Sequence, residues 1–160
     1  MQVTNLIKFA FSKHSRYLVV GGGTGGLSIT SHLLRSGVHS SEIRIIDPSP
    51  NHYYQPGWTM VGAGQWMIHS TAQKMEETLP KNVSLSKDKI KVVHPENNTV
   101  LCENGAEYTY DELILATGLQ LNYNKIEGLK EALDDEKSNV ASIYQLNYAE
   151  KMAKIAANLT

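Results

Sequence analysis

Three glycines spaced Gly21-x-Gly23-x-x-Gly26 carry the densest chemical signal in the chain. They follow the short apolar run Tyr17-Leu18-Val19-Val20 and precede a stretch with helical periodicity. In that setting each glycine has a physical task. Gly21 permits a tight turn out of a strand, Gly23 lets a pyrophosphate approach bare backbone, and Gly26 lets the next helix lie close to the sheet. The helix N-terminus then presents free N–H groups and the positive end of its dipole to phosphate. Asp47 closes a second apolar run, Ile43-Arg44-Ile45-Ile46, about 20 residues past Gly26, where a carboxylate accepts hydrogen bonds from ribose hydroxyls and disfavours a 2′-phosphate. The competing role for Asp47 is to open an Asp-Pro turn with Pro48. The glycines and the acid together point to a dinucleotide other than NADP, and fit NAD as well as FAD.

The elements that position these residues can be read from period and punctuation. Residues 17–20 read as a buried parallel strand. Residues 24–36, with Leu27, Ile29, Leu33 and Leu34, read as an amphipathic helix ending at Gly37. Residues 43–47 read as a second strand, halted by Pro48 and Pro50. This is a βαβ unit. Residues 48–68 are rich in aromatic residues and glycine without a clean period, as in a binding wall or a loop that packs its own rings. Residues 72–79 read as a short helix stopped by Pro80, and 83–85 as a short strand. Runs at 89–94, 98–102 and 106–110, separated by Pro95-Glu96-Asn97 and Glu103-Asn104-Gly105, read as a small antiparallel meander. A further apolar strand ends in a tight turn at Ala116-Thr117-Gly118, and 143–159 fits a helix.

Composition narrows the function classes. The chain has 160 residues, 41% hydrophobic and 19% charged, with a formal net charge of −1. No basic surplus exists to neutralise a nucleic-acid backbone. No apolar run approaches the roughly 20 residues of a membrane-spanning helix. The single cysteine, Cys102, cannot form an intrachain disulfide, and a reducing compartment is the default. The Asn-x-Ser/Thr triplets at Asn82, Asn97 and Asn158 read as chance. The six histidines are scattered without ligand spacing, so no metal is expected, and His52, beside the aromatic loop, is the one nearest a site. Met60, Met67 and Met75 read as packing residues. Residues 1–16 are basic, acid-free and mildly apolar, as in a short tail or a mitochondrial presequence.

Two stretches carry a resemblance to a known family. His52-Tyr53-Tyr54-Gln55-Pro56-Gly57-Trp58-Thr59-Met60-Val61-Gly62-Ala63-Gly64 resembles the loop that follows the ribose acid in mitochondrial-type sulfide:quinone oxidoreductases. Residues 116–123 and 125–129 match the same family again, and the likeness covers roughly residues 16–160. More generally, residues 17–47 with 112–118 look like the two-dinucleotide-binding flavoproteins. The resemblance implies an α/β, Rossmann-like FAD/NAD(P)-binding domain with a small antiparallel β meander, incomplete over residues 17–160. It implies FAD as cofactor, sulfide and ubiquinone as substrates of a longer enzyme, and a mitochondrial, inner-membrane location. Membrane association would run through a C-terminal region outside this chain. Carried over by position, Thr24 and Gly25 would touch the FAD phosphates and Asp47 the ribose, with Gly21, Gly23 and Gly26 as the glycines of the cofactor-binding turn. Gln55 would touch the cofactor, Ile90 would offer its backbone to the adenine, and Thr117 and Gly118 would run beneath the cofactor. Many relatives carry Glu where Asp47 stands. The family's catalytic cysteine pair lies beyond the matched region, so no catalytic residue is expected here, and Cys102 reads as structural. Two other readings stay open: a flavoprotein like a type II NADH dehydrogenase, and a non-catalytic nucleotide-binding fragment.

Overall fold

The computed structural model describes residues 13–158; the presequence expectation for the first residues falls largely on 1–12 and lies outside them. In chain order the elements are β1 (Lys13–Val20), α1 (Thr24–Arg35), β2 (Ile43–Ile46), β3 (Asn51–Tyr53), α2 (Gly57–Gly62), β4 (Ala72–Lys74), α3 (Met75–Thr78), β5 (Ser84–Ser86), β6 (Ile90–His94), β7 (Thr99–Cys102), β8 (Glu107–Leu115), α4 (Leu129–Asp134) and α5 (Leu146–Ala157). They divide into two compact units: residues 13–52 with 74–118, and residues 53–73 with 119–158. Strands β3 and β4 pair with each other as a separate two-stranded sheet.

The first unit is built on one sheet in the order β5-β2-β1-β8-β7-β6. Its parallel part is β5-β2-β1-β8, and β7 and β6 return antiparallel as the meander. Side chains alternate across the sheet, so each strand feeds two cores. Leu18 and Ile46 join Val100, Cys102, Tyr108 and Tyr110 on the meander face. Val19, Ile43 and Ile45 lie on the other face with Leu27, Ile29, Leu33 and Leu34, the last four from the amphipathic stripe of α1. Strands covered on both faces must be apolar throughout, which is why these runs read without alternation. Each fully buried Leu, Ile or Val contributes about 1.5–3 kcal/mol. Helix α1 stops where Ser36 and Gly37 N–H groups reach back to His32, Leu33 and Leu34 carbonyls, with Gly37 at φ +92°.

Several elements differ from the sequence expectation. Strand β1 begins at Lys13 rather than Tyr17, because β8 runs beside it and pairs Lys13 with Tyr108 and His14 with Thr109. The ladder needs backbone only, so a polar stretch joins it; Arg16 meets Glu42 at 2.9 Å on the exposed side. The third meander run and the following apolar strand are one strand, β8, which pairs with β1 on one side and β7 on the other. The short helix expected over 72–79 is divided into β4 and the single turn α3.

In the second unit, the stretch expected as loop contains α2. A Cβ on its Gly62 would lie 2.9 Å from Ile143 Cγ2 and 3.3 Å from Met152 Cγ, so α2 and α5 pack at close range. Lys151, on α5, is buried and donates to three carbonyls at the C-terminal end of α4: Ala132 at 2.8 Å, Leu133 at 3.0 Å and Asp135 at 2.7 Å. A cation there satisfies orphan carbonyls and meets the negative end of the helix dipole. The Tyr148 hydroxyl donates to Asp134 at 2.6 Å, and Lys130 pairs with the same carboxylate. Among the described residues no helix is long and apolar enough to cross a membrane.

Candidate functional site

The end of β1, the start of α1 and the end of β8 meet at the glycine turn. Gly21 takes φ +106° and its N–H donates to Ile46 O at 2.9 Å. A Cβ there would sit 2.2 Å from Ala116 O and 3.2 Å from Thr117 N, so the chain leaving β8 passes against the turn. A Cβ on Gly26 would sit 1.8 Å from Gly21 O and 3.3 Å from Val19 Cγ1, which presses α1 onto the strand. Gly23 is the reverse case. It is exposed, and nothing lies within 4 Å of the position its Cβ would take. It is also the N-cap of α1 and provides no side-chain cap, so the first N–H groups of the helix receive no side-chain acceptor from it.

Asp47 is half-buried and both its oxygens are engaged. Oδ2 accepts the Gly22 N–H at 2.6 Å, and Oδ1 accepts the Ser49 N–H at 2.7 Å. The second of these is the Asp-Pro turn anticipated as the alternative role. The turn leaves each carboxylate oxygen a further lone pair able to accept a hydrogen bond. The turn is also held by residues that spacing did not single out. His52 Nδ1 lies 3.1 Å from Gly22 O. The buried Met75 side chain covers Gly22, with its Cε 2.8 Å from where a Cβ would be. The only signal for His52 in the sequence was its place at the head of the aromatic loop.

The structure brings Gly21, Gly23, Thr24, Gly25, Gly26, Asp47, Thr117 and Gly118 into the first unit around this turn; Thr24, Gly25, Thr117 and Gly118 are exposed, and Gly118 takes φ +75°. Ile90 opens β6 opposite Cys102 and packs beneath the meander, beside an irregularity in register before Val92. Gln55 is exposed in the second unit, ahead of α2. There the aromatic loop packs its own rings: Tyr53 meets Trp58 edge-on at 6.1 Å, and Tyr54 tilts against Trp66 at 6.5 Å. Gly57 lies among them, 3.0 Å from Trp66 and Thr71 atoms at its Cβ position. Cys102 is buried, and burial, followed by the charge of Asp88, pushes its thiol up to about 11. Such a thiol is inert at neutral pH.

Fold and turn together define a dinucleotide-binding α/β domain with a β meander. The family model for pyridine nucleotide-disulphide oxidoreductases matches residues 15–157, and the chain belongs to that family. More specifically, it is 38% identical over 145 residues to the mitochondrial sulfide:quinone oxidoreductase of Dictyostelium discoideum, covering 91% of this chain and 32% of the relative. It is 34% identical over 160 residues to the protein of that name in Schizosaccharomyces pombe, covering 91% of this chain and 35% of the relative. The structure of the sulfide:quinone oxidoreductase from Aquifex aeolicus matches with a TM-score of 0.72 at 26% identity, over 92% of this chain and 32% of that one. The chain thus spans about a third of the length of the relatives it matches. Proteins of this family bind FAD. The residues present fit that group: an uncapped helix N-terminus faces open space at Gly23, with a carboxylate beside it.

Proposed function

We propose that this chain forms the part of an FAD-dependent sulfide oxidoreductase that grips the adenosine and pyrophosphate end of the cofactor. Bound FAD supplies the two-electron chemistry by which such an enzyme takes sulfide to sulfane sulfur and delivers the electrons to a quinone. In this reading the Gly23, Thr24 and Gly25 backbone meets the phosphates, and Asp47 accepts from the ribose. Ile90 offers its backbone to the adenine, Gln55 contacts the cofactor, and Thr117-Gly118 runs beneath it. Asp47 disfavours a 2′-phosphate by charge, which suits FAD and opposes NADP.

The observation that carries the reading is the bare cradle at Gly23 with Asp47 at its rim, in a chain whose relatives bear the name sulfide:quinone oxidoreductase. The same relatives are named as mitochondrial, which supports that compartment for the whole protein. The sulfur chemistry lies outside these 160 residues: one cysteine is present, buried, with its thiol held protonated. A single thiol cannot form the redox disulfide that sulfide attacks. The purified chain is expected to bind FAD, seen as quenching of flavin fluorescence, and to reduce no soluble quinone when sulfide is added. A chain without affinity for FAD, or one that reduces quinone with sulfide, overturns the proposal.

A further inference from the structure

Gly22 is held on both of its peptide bonds. Its N–H donates to Asp47 Oδ2 at 2.6 Å, and its carbonyl faces His52 Nδ1 at 3.1 Å. A carbonyl oxygen only accepts, so the proton of this bond belongs to Nδ1, and the neutral ring is fixed with Nε2 bare. The consequence passes along the peptide. In a planar trans unit the carbonyl of one residue and the N–H of the next point in opposite directions. Holding the Gly22 carbonyl therefore aims the Gly23 N–H. Gly23 is the N-cap of α1, and its N–H is the first donor of the cradle.

This peptide needs such a hold. It joins two glycines, and with no Cβ on either side the backbone turns over at little steric cost. A turned-over Gly22–Gly23 peptide would present a carbonyl oxygen, rather than an N–H, to a phosphate. A side chain at position 22 would have to displace the tip of Met75, whose Cε and Sδ lie 2.8 and 2.9 Å from that Cβ position, and the turn carries none. Restraint comes instead from across the site, from His52, half-buried at the start of the aromatic loop.

We infer that His52 is a positioning residue for dinucleotide binding, which acts through the Gly22 carbonyl to keep the Gly23 N–H directed at the phosphates. The inference rests on the FAD reading above. His52→Phe keeps a ring without the donor, and His52→Asn sets an amide N–H near the place of Nδ1. In the full chain, His52→Phe is expected to weaken FAD binding about tenfold, the size of one hydrogen bond, while His52→Asn stays near the parent. The urea midpoint of the FAD-free protein should be the same in all three, which a merely structural histidine would not allow. Equal FAD affinity in His52→Phe, failure of His52→Asn to recover it, or a loss that follows the urea midpoint would each overturn the inference. A parent chain that ignores FAD would sink the FAD reading instead. Ring nitrogen NMR of the FAD-free chain with the ring neutral then decides the clamp separately: a proton on Nδ1 supports it, and a proton on Nε2 overturns it.

Discussion

The two units use their residues in opposite ways. The first gathers its large side chains into two cores on either face of a sheet, and leaves backbone exposed at its working edge. The second holds few buried apolar side chains, among them Val61, Leu133, Tyr148 and Ala149, and shows large ones to solvent: Leu119 is 95% exposed, Met67 68% and Tyr144 64%. Where α4 meets α5 its order leans on polar ties, with Lys151 on three carbonyls and Tyr148 and Lys130 on one carboxylate. Close packing at Gly21 and Gly26 thus shapes the glycine turn, while directed hydrogen bonds join α4 to α5. A contact fixed by packing fails by overfilling, and one fixed by polar ties fails by loss of a partner.

The largest expected effect falls on the first unit. Gly26→Ala drives a methyl into Gly21 O and should cost about 3 kcal/mol by urea unfolding, with loss of FAD affinity; a cost under about 1 kcal/mol would mean that the turn relaxes freely. A smaller effect, confined to the second unit, is expected for Lys151→Met. Stranding buried carbonyls costs about 2 kcal/mol. Hydrogen exchange should quicken over residues 129–135 while the amides of β1 and β2 stay protected; equal quickening in both would deny the units separate stability.

The smallest contrast is one of pH. Cys102, in the first unit, stays protonated in the fold up to about 11, above its ordinary 9.0. Above pH 9 the unfolded chain releases this proton and the folded one does not, so stability falls as pH rises from 9 toward 11. Asp134, in the second unit, is held below its ordinary 3.8 by Lys130 and then Tyr148. Its contribution is present above pH 3.8 and is lost as pH falls through the depressed value. Hydrogen exchange against pH should therefore show the amides paired around Cys102 in β6 and β7 loosening on the alkaline side, and those of α4 beside Asp134 loosening on the acid side; unchanged exchange at both places would break the assignment.

How much of this was legible in the sequence follows the same division. The glycine turn, Asp47, β1, α1, β2 and the meander were readable because their determinants are local: spacing, a two-sided apolar run, turn residues. The N-terminal extension of β1 and the fusion of two runs into β8 were not, since a backbone ladder to a distant strand leaves no mark in side-chain type. The six-residue α2 was hidden for a related reason. It has no side-chain cap, and it is held by the fit of Gly62 against Ile143 and Met152, far along the chain. His52 could be placed near the site by adjacency to the loop, but its bond to Gly22 spans 30 residues.

The crowding at Gly21 and Gly26 reaches beyond this one fold into heredity. A single base change that replaces a glycine always brings in a side chain or a stop, and at these two positions the added atom meets a carbonyl oxygen at 2.2 or 1.8 Å. Two codons of the gene therefore tolerate almost no meaning-changing drift, whereas the neighbouring Gly23 codon, with open space above its backbone, is guarded only by whatever must bind there.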